Sequence, residues 1–244
     1  MKNRIVADIH THTLASGHAY GTIREMAQAA SERKLALLGI SEHGPGIPGT
    51  VHPIYFHNLS VAPKELYGVQ IIHGCEINML KDGELSLGER YMERLDYAIV
   101  GVHQLCYQNQ GIKINTDNLI KCMQHSKISF VSHPDDGEIP FDYERLVAAA
   151  KEYHVALELN NSSLRKKDHR LNCVENLKTM LGLCMEMRAP IIVNTDAHDP
   201  LAVGDFTLAE AFLDEIGFDE SLVLNTSAEA VKQFISEGKA SGFI

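Results

Sequence analysis

Histidines and acidic residues follow several strand-like runs of this sequence, at the point where each run ends. His10 and His12 come first, two residues apart, and Asp196 and His198 repeat that spacing late in the chain. In an extended segment residues i and i+2 point to the same side, so each pair can offer two ligand atoms to one cation. The pattern also contains His18, His43, Glu76, His103 and His133. Imidazole and carboxylate groups are common ligands of zinc and related metals, so the pattern predicts a metal site.

Taken one at a time, these residues also have ordinary explanations. A histidine pair two residues apart occurs by chance, Glu76 could begin a helix, and His103 or His133 could be a buried histidine whose hydrogen bonds are satisfied. Asp8, two residues before His10, strengthens the first pair. Independent structural histidines have no reason to follow the same end of successive strands, so the joint pattern favours metal ligands.

Alternating strand-like and helix-like segments would position these residues. Thr22 is predicted to cap the first helix together with Glu25, and the later helices are expected near 117–126, 142–153, 170–187, 206–216 and 227–237. Parallel strands with candidate ligands at nearly every carboxyl end favour a closed or distorted barrel over an open sheet. The predicted strands are Ile5–Ile9, Ala36–Ile40, Gln70–Gly74, Tyr97–Val102, Ile128–Ser132, Val155–Leu159 and Ile191–Asn194.

Composition limits the class of protein. The 244 residues are 45% hydrophobic, which suits a single domain spanning 1–244. The net charge of −10, with no basic run longer than Arg165-Lys166-Lys167, makes a nucleic-acid backbone a poor partner. Five scattered cysteines lack a C-x-x-C pair, which argues against a disulfide framework and a thiolate zinc site. We expect a cytoplasmic protein without a membrane partner, because there is no signal-like segment or 18-residue apolar run.

Two further segments are candidates for contact with a substrate. The sixth predicted strand is followed by amide, hydroxyl and basic side chains, among them Asn160, Ser162 and Arg165. These groups suit phosphate or water contacts, although an asparagine-rich turn is equally compatible with an ordinary loop. Residues 44–63 show no clear periodicity, and a loop of that length is often functional, so this segment is a candidate lid.

The motifs around these residues resemble those of the PHP (polymerase and histidinol phosphatase) superfamily. The nearest similarity is to its small stand-alone YcdX-like phosphatases, and it runs through nearly the whole chain. This resemblance implies a distorted seven-stranded (β/α) barrel of the TIM type, with the active site at the carboxyl ends of the strands. The matching motifs are Asp-Ile-His-Thr-His-Thr at 8–13, Ser-Glu-His-Gly at 41–44, Gly-Cys-Glu at 74–76, Gly-Val-His at 101–103, Ser-His-Pro at 132–134 and Asp-Ala-His at 196–198.

The resemblance also implies three divalent metal ions, usually zinc, with manganese or iron in some relatives. Glu76 would bridge two of these ions. Carried over by position, the first metal would be held by His10, His12, Glu76 and Asp196, the second by Glu76, His103 and His133, and the third by His18, His43 and His198.

Such a centre would be cationic and would suit a small phosphorylated substrate. Three divalent cations and two carboxylates give a charge of roughly +4, and a metal-activated water could attack phosphorus. The residues predicted to take part in catalysis are Glu76, Asp196 and His198. Two alternatives remain open: a binuclear amidohydrolase-type enzyme, and a metal-binding module without turnover. The trio His18, His43 and His198 favours the phosphoesterase, because a two-metal site would not need it.

Overall fold

Seven parallel strands lie side by side in the computed structural model, which describes residues 4–240 and side chains as far as residue 238. The first three and last four residues of the predicted 1–244 domain therefore lie outside the described residues. The described strands are β1 (Ala7–Thr11), β2 (Leu37–His43), β3 (Glu65–Leu66), β4 (Val69–Asn78), β5 (Ala98–Gly101), β6 (Ile128–Val131), β7 (Ala156–Asn160) and β8 (Ile191–Asn194). Their order is β1-β2-β4-β5-β6-β7-β8, and the short β3 pairs antiparallel with β4. All seven predicted strands are confirmed, with shifted ends.

Helices alternate with the strands, as predicted. The first begins with a reciprocal cap, because the Thr22 hydroxyl accepts from the Glu25 N–H and the Glu25 carboxylate accepts from the Thr22 N–H. Asp142 caps a later helix through the Arg145 N–H. In the described residues the helices are α1 (Ile23–Glu32), α2 (Ile54–His57), α3 (Glu89–Met92), α4 (Ile112–Met123), α5 (Tyr143–Glu152), α6 (Asn161–Arg165), α7 (Cys173–Met187), α8 (Thr207–Ile216) and α9 (Ala228–Ala240).

The sheet curves into a nearly closed barrel, the distorted TIM-like fold that the sequence predicts. At the seam between β1 and β8, the Asn225 side-chain amide replaces part of the missing strand ladder. Its Nδ2 donates to the Ala7 carbonyl at 2.8 Å and also to the Val193 carbonyl, while its Oδ1 accepts from the Val193 N–H at 3.1 Å. Further along the seam, the His12 N–H donates to the Ala197 carbonyl at 2.8 Å. The seam is therefore closed largely by residues outside β8.

The barrel interior is apolar at one end and polar at the other. Ala7, Leu37 and Ala156 lie at the amino ends of their strands, in an interior cluster that also contains Phe234 and Ile235 of α9. A larger apolar cluster packs the helices against the outside of the sheet. The buried polar residues lie toward the carboxyl ends of the strands, among them His10, Glu76, Glu158 and Asn194. This division places the polar site at the end of the barrel where (β/α) barrels keep their active sites.

The segment 44–63 is more ordered than its composition suggests. It contains α2 and a 3₁₀ turn at Leu59–Val61, so the expectation of an irregular loop throughout is wrong. Phe56 and Leu59 are buried in the outer core and anchor the segment there.

None of the helices within residues 4–240 has both the length and the apolarity needed to cross a membrane. The five cysteines, all within that range, are free thiols, as their spacing predicts.

Candidate metal centre

The structure brings all nine predicted ligand side chains together at the carboxyl ends of the strands. His12 lies at the middle of the group, with its ring centroid 5.1 Å from that of His10, 4.1 Å from that of His43 and 4.4 Å from that of His198. His18 adjoins this group, because its Nε2 lies 3.1 Å from the His198 Nε2. The rings of His43, His103 and His133 continue the cluster on the other side. The two carboxylates, Glu76 and Asp196, lie among these rings.

Glu76 occupies the centre of the cluster. It lies within β4, whereas the sequence placed it just after the strand, and its side chain is almost fully buried. Its Oε2 is 2.8 Å from the His43 Nδ1. One carboxylate with imidazoles facing both oxygens has the arrangement expected of a bridging ligand. The other imidazole nitrogens within 4 Å of Glu76 are Nε2 of His133 at 2.9 Å, of His10 at 3.4 Å, of His103 at 3.5 Å and of His12 at 3.6 Å.

Several buried atoms of the cluster lack a hydrogen-bond partner among the described residues. They are His10 Nε2, His12 Nε2, His43 Nδ1 and Glu76 Oε2, and all four lie where the cluster converges. The His43 and Glu76 atoms are close, but they are not aligned as a hydrogen bond. Buried polar atoms without partners are costly, and a cation would satisfy all four. These nitrogen and oxygen donors therefore fit divalent metal ions such as zinc.

Glu158, which the sequence did not single out as a site residue, orients His10. Its Oε1 accepts from His10 Nδ1 at 2.7 Å, which leaves His10 Nε2 facing the cluster. The same carboxylate accepts from Asn194 Nδ2 at 2.9 Å and from the His133 N–H at 2.9 Å. A carboxylate behind a ligating histidine fixes its tautomer and raises its basicity. The position of Glu158, one residue before the predicted end of its strand, was the signal available in the sequence.

Two other histidines are oriented in the same way. His12 Nδ1 lies 3.1 Å from Ser16 Oγ, and that hydroxyl donates to Glu42 Oε2 at 2.5 Å. His103 Nδ1 lies 2.7 Å from Asn78 Oδ1. Each contact occupies one ring nitrogen on the outer side and leaves Nε2 toward the cluster.

The cluster sets the protonation of its own members. Burial lowers the pKa of His10, but the carboxylates of Glu158, Glu76 and Asp196 outweigh it and hold this pKa well above its usual value. Burial lowers the pKa of His103 to about 3 and that of His12 well below its usual range. Burial would raise the pKa of Glu76 and of Asp196, yet nearby histidines keep both well below their ordinary values. Ionised carboxylates and neutral imidazoles are the forms that bind metal, and the raised pKa of His10 opposes that state.

The backbone is adapted to the cluster at several points. His133 and Asp196 adopt positive φ angles of 29° and 54°, and strained backbone of this kind tends to occur at functional sites. Gly101 of β5 leaves room for the central carboxylate, since a Cβ there would lie 2.7 Å from Glu76 Oε1 and 2.8 Å from His103 Cε1.

Asp8 has a different role from the one its spacing suggests. The pairing of β1 with β2 shifts register between Asp8 and Thr11, so the alternation of side chains is interrupted within this stretch. The Asp8 carboxylate accepts from Thr195 Oγ1 at 2.6 Å and from the Gly204 N–H at 3.0 Å. Asp8 therefore holds the segment that carries Asp196.

The three predicted substrate contacts separate into two groups. Asn160 is fully buried, and its amide donates to Glu158 Oε2 at 3.0 Å and to Asp196 Oδ2 at 3.4 Å, so it supports the cluster. Ser162 and Arg165 line a cleft of about 430 Å³ together with His18, Asp196 and His198. Arg165 is half exposed and paired with Asp205 at 2.9 Å.

The fold and this cluster together define an α/β barrel with a largely buried cluster of candidate metal ligands at the carboxyl ends of its strands. Residues 8–162 match the family model of the PHP domain. The chain belongs to the PHP domain family, which confirms the resemblance seen in its motifs. The matched range contains seven of the nine clustered residues, and Asp196 and His198 lie beyond it.

Relatives extend the similarity to nearly the full chain. A protein named probable phosphatase from Caldanaerobacter subterraneus subsp. tengcongensis is 39% identical over 97% of this chain and 93% of its own length. Another of that name, from Clostridium novyi, is 36% identical over 99% of both chains. Among solved structures, histidinol phosphate phosphatase from Lactococcus lactis subsp. lactis, complexed with zinc, L-histidinol and phosphate, is 17% identical. It matches 88% of this chain and 95% of its own with a TM-score of 0.59, which supports the same fold.

Proposed function

We propose that this protein is a metal-dependent phosphoesterase that hydrolyses a small phosphomonoester. The observation that carries the proposal is the convergence of four unpartnered ligand atoms, from His10, His12, His43 and Glu76, within a cluster of nine candidate ligands. Relatives named probable phosphatase that match nearly the whole chain support the same activity.

We assign the cluster to three divalent cations, with zinc as the first metal to test. The distances from Glu76 to the imidazoles support the first two ligand sets, because Glu76 lies near the imidazoles of both. His43 belongs to the third set, but its Nδ1 lies 2.8 Å from Glu76 Oε2, a ligand of the first two sets. We therefore infer that the His43 imidazole lies at the boundary between the third set and the other two. The three groups of ligand atoms within 4.8 Å of one another are His10, His12 and Glu76; His43, Glu76 and His103; and His12, His43 and His198.

Cations in this cluster would activate water as the nucleophile and neutralise the phosphoryl oxygens. The chain's own residues hold and orient the reacting groups. Glu76 keeps the ligand sets together from the centre, while Asp196 and His198 line the 430 Å³ cleft and so can reach the substrate. Asp196 Oδ1 faces the Nε2 atoms of His10 and His12, so this oxygen would hold a cation of the first ligand set. Asn160 restrains the other oxygen of that carboxylate, which keeps Oδ1 directed toward the histidines.

Release of inorganic phosphate from a broad panel of phosphomonoesters and diesters, after reconstitution with zinc, manganese or iron, tests the activity. We expect monoesters to be the better substrates and elemental analysis to give about three ions per chain, because nine ligands exceed what one cation takes. Cleavage of amides or lactones without phosphate release would favour the amidohydrolase alternative. Metal binding without any turnover would indicate a silent module.

We further propose that residues 1–244 form one domain and that the protein is cytoplasmic. The seam supports the first proposal, since Asn225 joins the first and last strands of the barrel. The five free thiols support the second, because reducing compartments keep cysteines unpaired.

A further inference from the structure

A second cleft opens on the other side of the cluster. It encloses about 260 Å³ and is lined by His103 and His133, whose Nε2 atoms lie 3.5 Å and 2.9 Å from Glu76 Oε1. A group bound in this cleft would therefore adjoin the candidate metal ligands. Pockets for drug-sized ligands measure about 300 to 1,000 Å³, so this cleft suits a smaller group.

The wall of this cleft is largely apolar. Ile139 and Phe141 contribute buried surface, and Val102 lies beside them. Leu105 also lines the cleft, although 73% of its surface is exposed, and a large apolar side chain so exposed gains by covering an apolar ligand. The cleft therefore favours a compact organic group, such as a single ring.

One cation is held in this wall. Arg170 Nη1 donates to Ser163 Oγ at 2.8 Å and lies 3.7 Å from Asp135 Oδ2, on a side chain that is only 14% exposed. Asp135 is fully buried behind it. No other hydrogen bond of the guanidinium is seen within residues 4–238. Arg170 is thus fixed at one nitrogen and retains N–H groups for a ligand, and a planar guanidinium binds oxyanions well.

Two acidic residues, Asp136 and Glu138, also line this cleft. Asp136 Oδ1 accepts from the Glu138 N–H at 3.1 Å, and Glu138 itself is exposed. Arg170 is therefore the largely buried charged side chain that this cleft offers to a ligand.

We propose that this cleft binds the leaving group of the phosphoester and that Arg170 selects leaving groups that carry an oxyanion, either a carboxylate or a second phosphate. The inference rests on the proposed function, because it assumes that the ester is cleaved at the cluster. Arg170 thus acts as a specificity-determining residue on the side opposite to Arg165.

Binding of stable phosphonates tests this inference without turnover. Benzylphosphonate, its para-carboxylated analogue and its para-phosphonomethyl analogue would be titrated calorimetrically into the zinc-loaded protein. We expect Arg170→Met to weaken binding of the para-carboxylated analogue or of the diphosphonate by about 10- to 100-fold. This is the usual range for a hydrogen bond to a charged group. Benzylphosphonate should change by less than about threefold. The analogue with the larger loss identifies the oxyanion.

Two further variants complete the design. Arg145→Met removes an exposed arginine that is paired with Asp117, and it should leave all three affinities unchanged. Arg170→Lys replaces Arg170→Met if the methionine variant fails to fold, because it keeps a positive charge beside the buried Asp135. It should still lose much of the preference for ligands with an added oxyanion, because an ammonium lacks the planar fork of a guanidinium. Equal weakening of all three ligands would overturn the inference, since Arg170 would then contact the transferred phosphoryl group. Unchanged affinities would overturn it as well.

Kinetics separate this inference from the proposed function. Phenyl phosphate and 4-carboxyphenyl phosphate would be compared as substrates, and Arg170→Met should lower kcat/KM selectively for the second. If the wild-type protein cleaves both esters and the variant shows no selective loss, the inference fails and the phosphoesterase stands. If no ester of the broad panel is cleaved while the phosphonate preference depends on Arg170, the proposed hydrolysis fails and the oxyanion site stands.

Discussion

Substituting Gly101 by alanine should disable the metal centre while leaving the barrel folded. The new Cβ would lie 2.7 Å from Glu76 Oε1, whereas ordinary van der Waals contact begins at 3.4 Å, so the carboxylate must retreat by about 0.7 Å. It has little freedom to do so, because Ser132 Oγ donates to the same oxygen at 2.7 Å and His133 Nε2 lies at 2.9 Å. The φ angle of Gly101 lies outside the left-handed region, so an alanine backbone is allowed there.

The size of the effect follows from that displacement. A misplacement of about 1 Å can lower turnover by ~100-fold, so we expect phosphate release to fall by roughly 30- to 100-fold. Metal content should also fall, because Glu76 faces five imidazoles. Overpacking of this kind typically costs about 1–3 kcal/mol, which the fold should survive.

Gly182→Ala is the matched control. Gly182 lies within α7, and a Cβ there would meet no atom within 4 Å. Alanine in a helix interior is favoured over glycine by about 1 kcal/mol, so Tm should rise by about 2–4 °C while activity and metal content stay unchanged. Phosphate release, elemental analysis and thermal unfolding of both variants check the prediction. Full metal content and a rate within threefold of wild type in Gly101→Ala would refute the steric reasoning.

Three further outcomes are expected. Glu158→Gln should weaken metal binding by roughly 10- to 100-fold, since an amide cannot accept all the hydrogen bonds that this carboxylate receives. An unchanged affinity in a metal titration would contradict this prediction. His43→Ala should lower metal content by about one ion and turnover by roughly 100-fold with the fold intact, and full occupancy at a normal rate would exclude the third site. Metal binding at pH 7 should release a proton from His10, because its pKa is raised. The affinity for metal should therefore increase with pH until His10 is neutral. Calorimetry in buffers of different ionisation enthalpy measures the released proton.

The sequence predicted the strands, because their apolar runs stop where polar residues begin, but it placed several carboxyl ends two to four residues too early. The direction of the side chains near those ends was harder to predict. The register shift between Asp8 and Thr11 reverses the alternation that placed Asp8 beside His10, and no local pattern in the sequence marks it. Its cause lies in the pairing with β2, which only the folded barrel supplies.

Supporting residues were harder to predict than candidate ligands. Glu158 and Asn160 ended a strand without a histidine, so the sequence offered substrate contact as one interpretation of Asn160. In the structure both are buried, and they hydrogen-bond to His10 and Asp196 respectively. A residue that orients a candidate ligand shows no characteristic spacing in the sequence, because the ligand it contacts comes from a distant part of the chain.

Closure of the barrel seam links completion of the site to synthesis of the last strand. His10 and His12 are synthesised well before Asp196 and the seam residue Asn225. At about 5–20 residues per second, the 186 residues from Thr11 to Asp196 take roughly 10 to 40 s to synthesise. During that interval the early histidines lack the carboxylate across the seam and can hold a cation only weakly. Any selection of metal by the full ligand set would therefore take place after translation of the last strand.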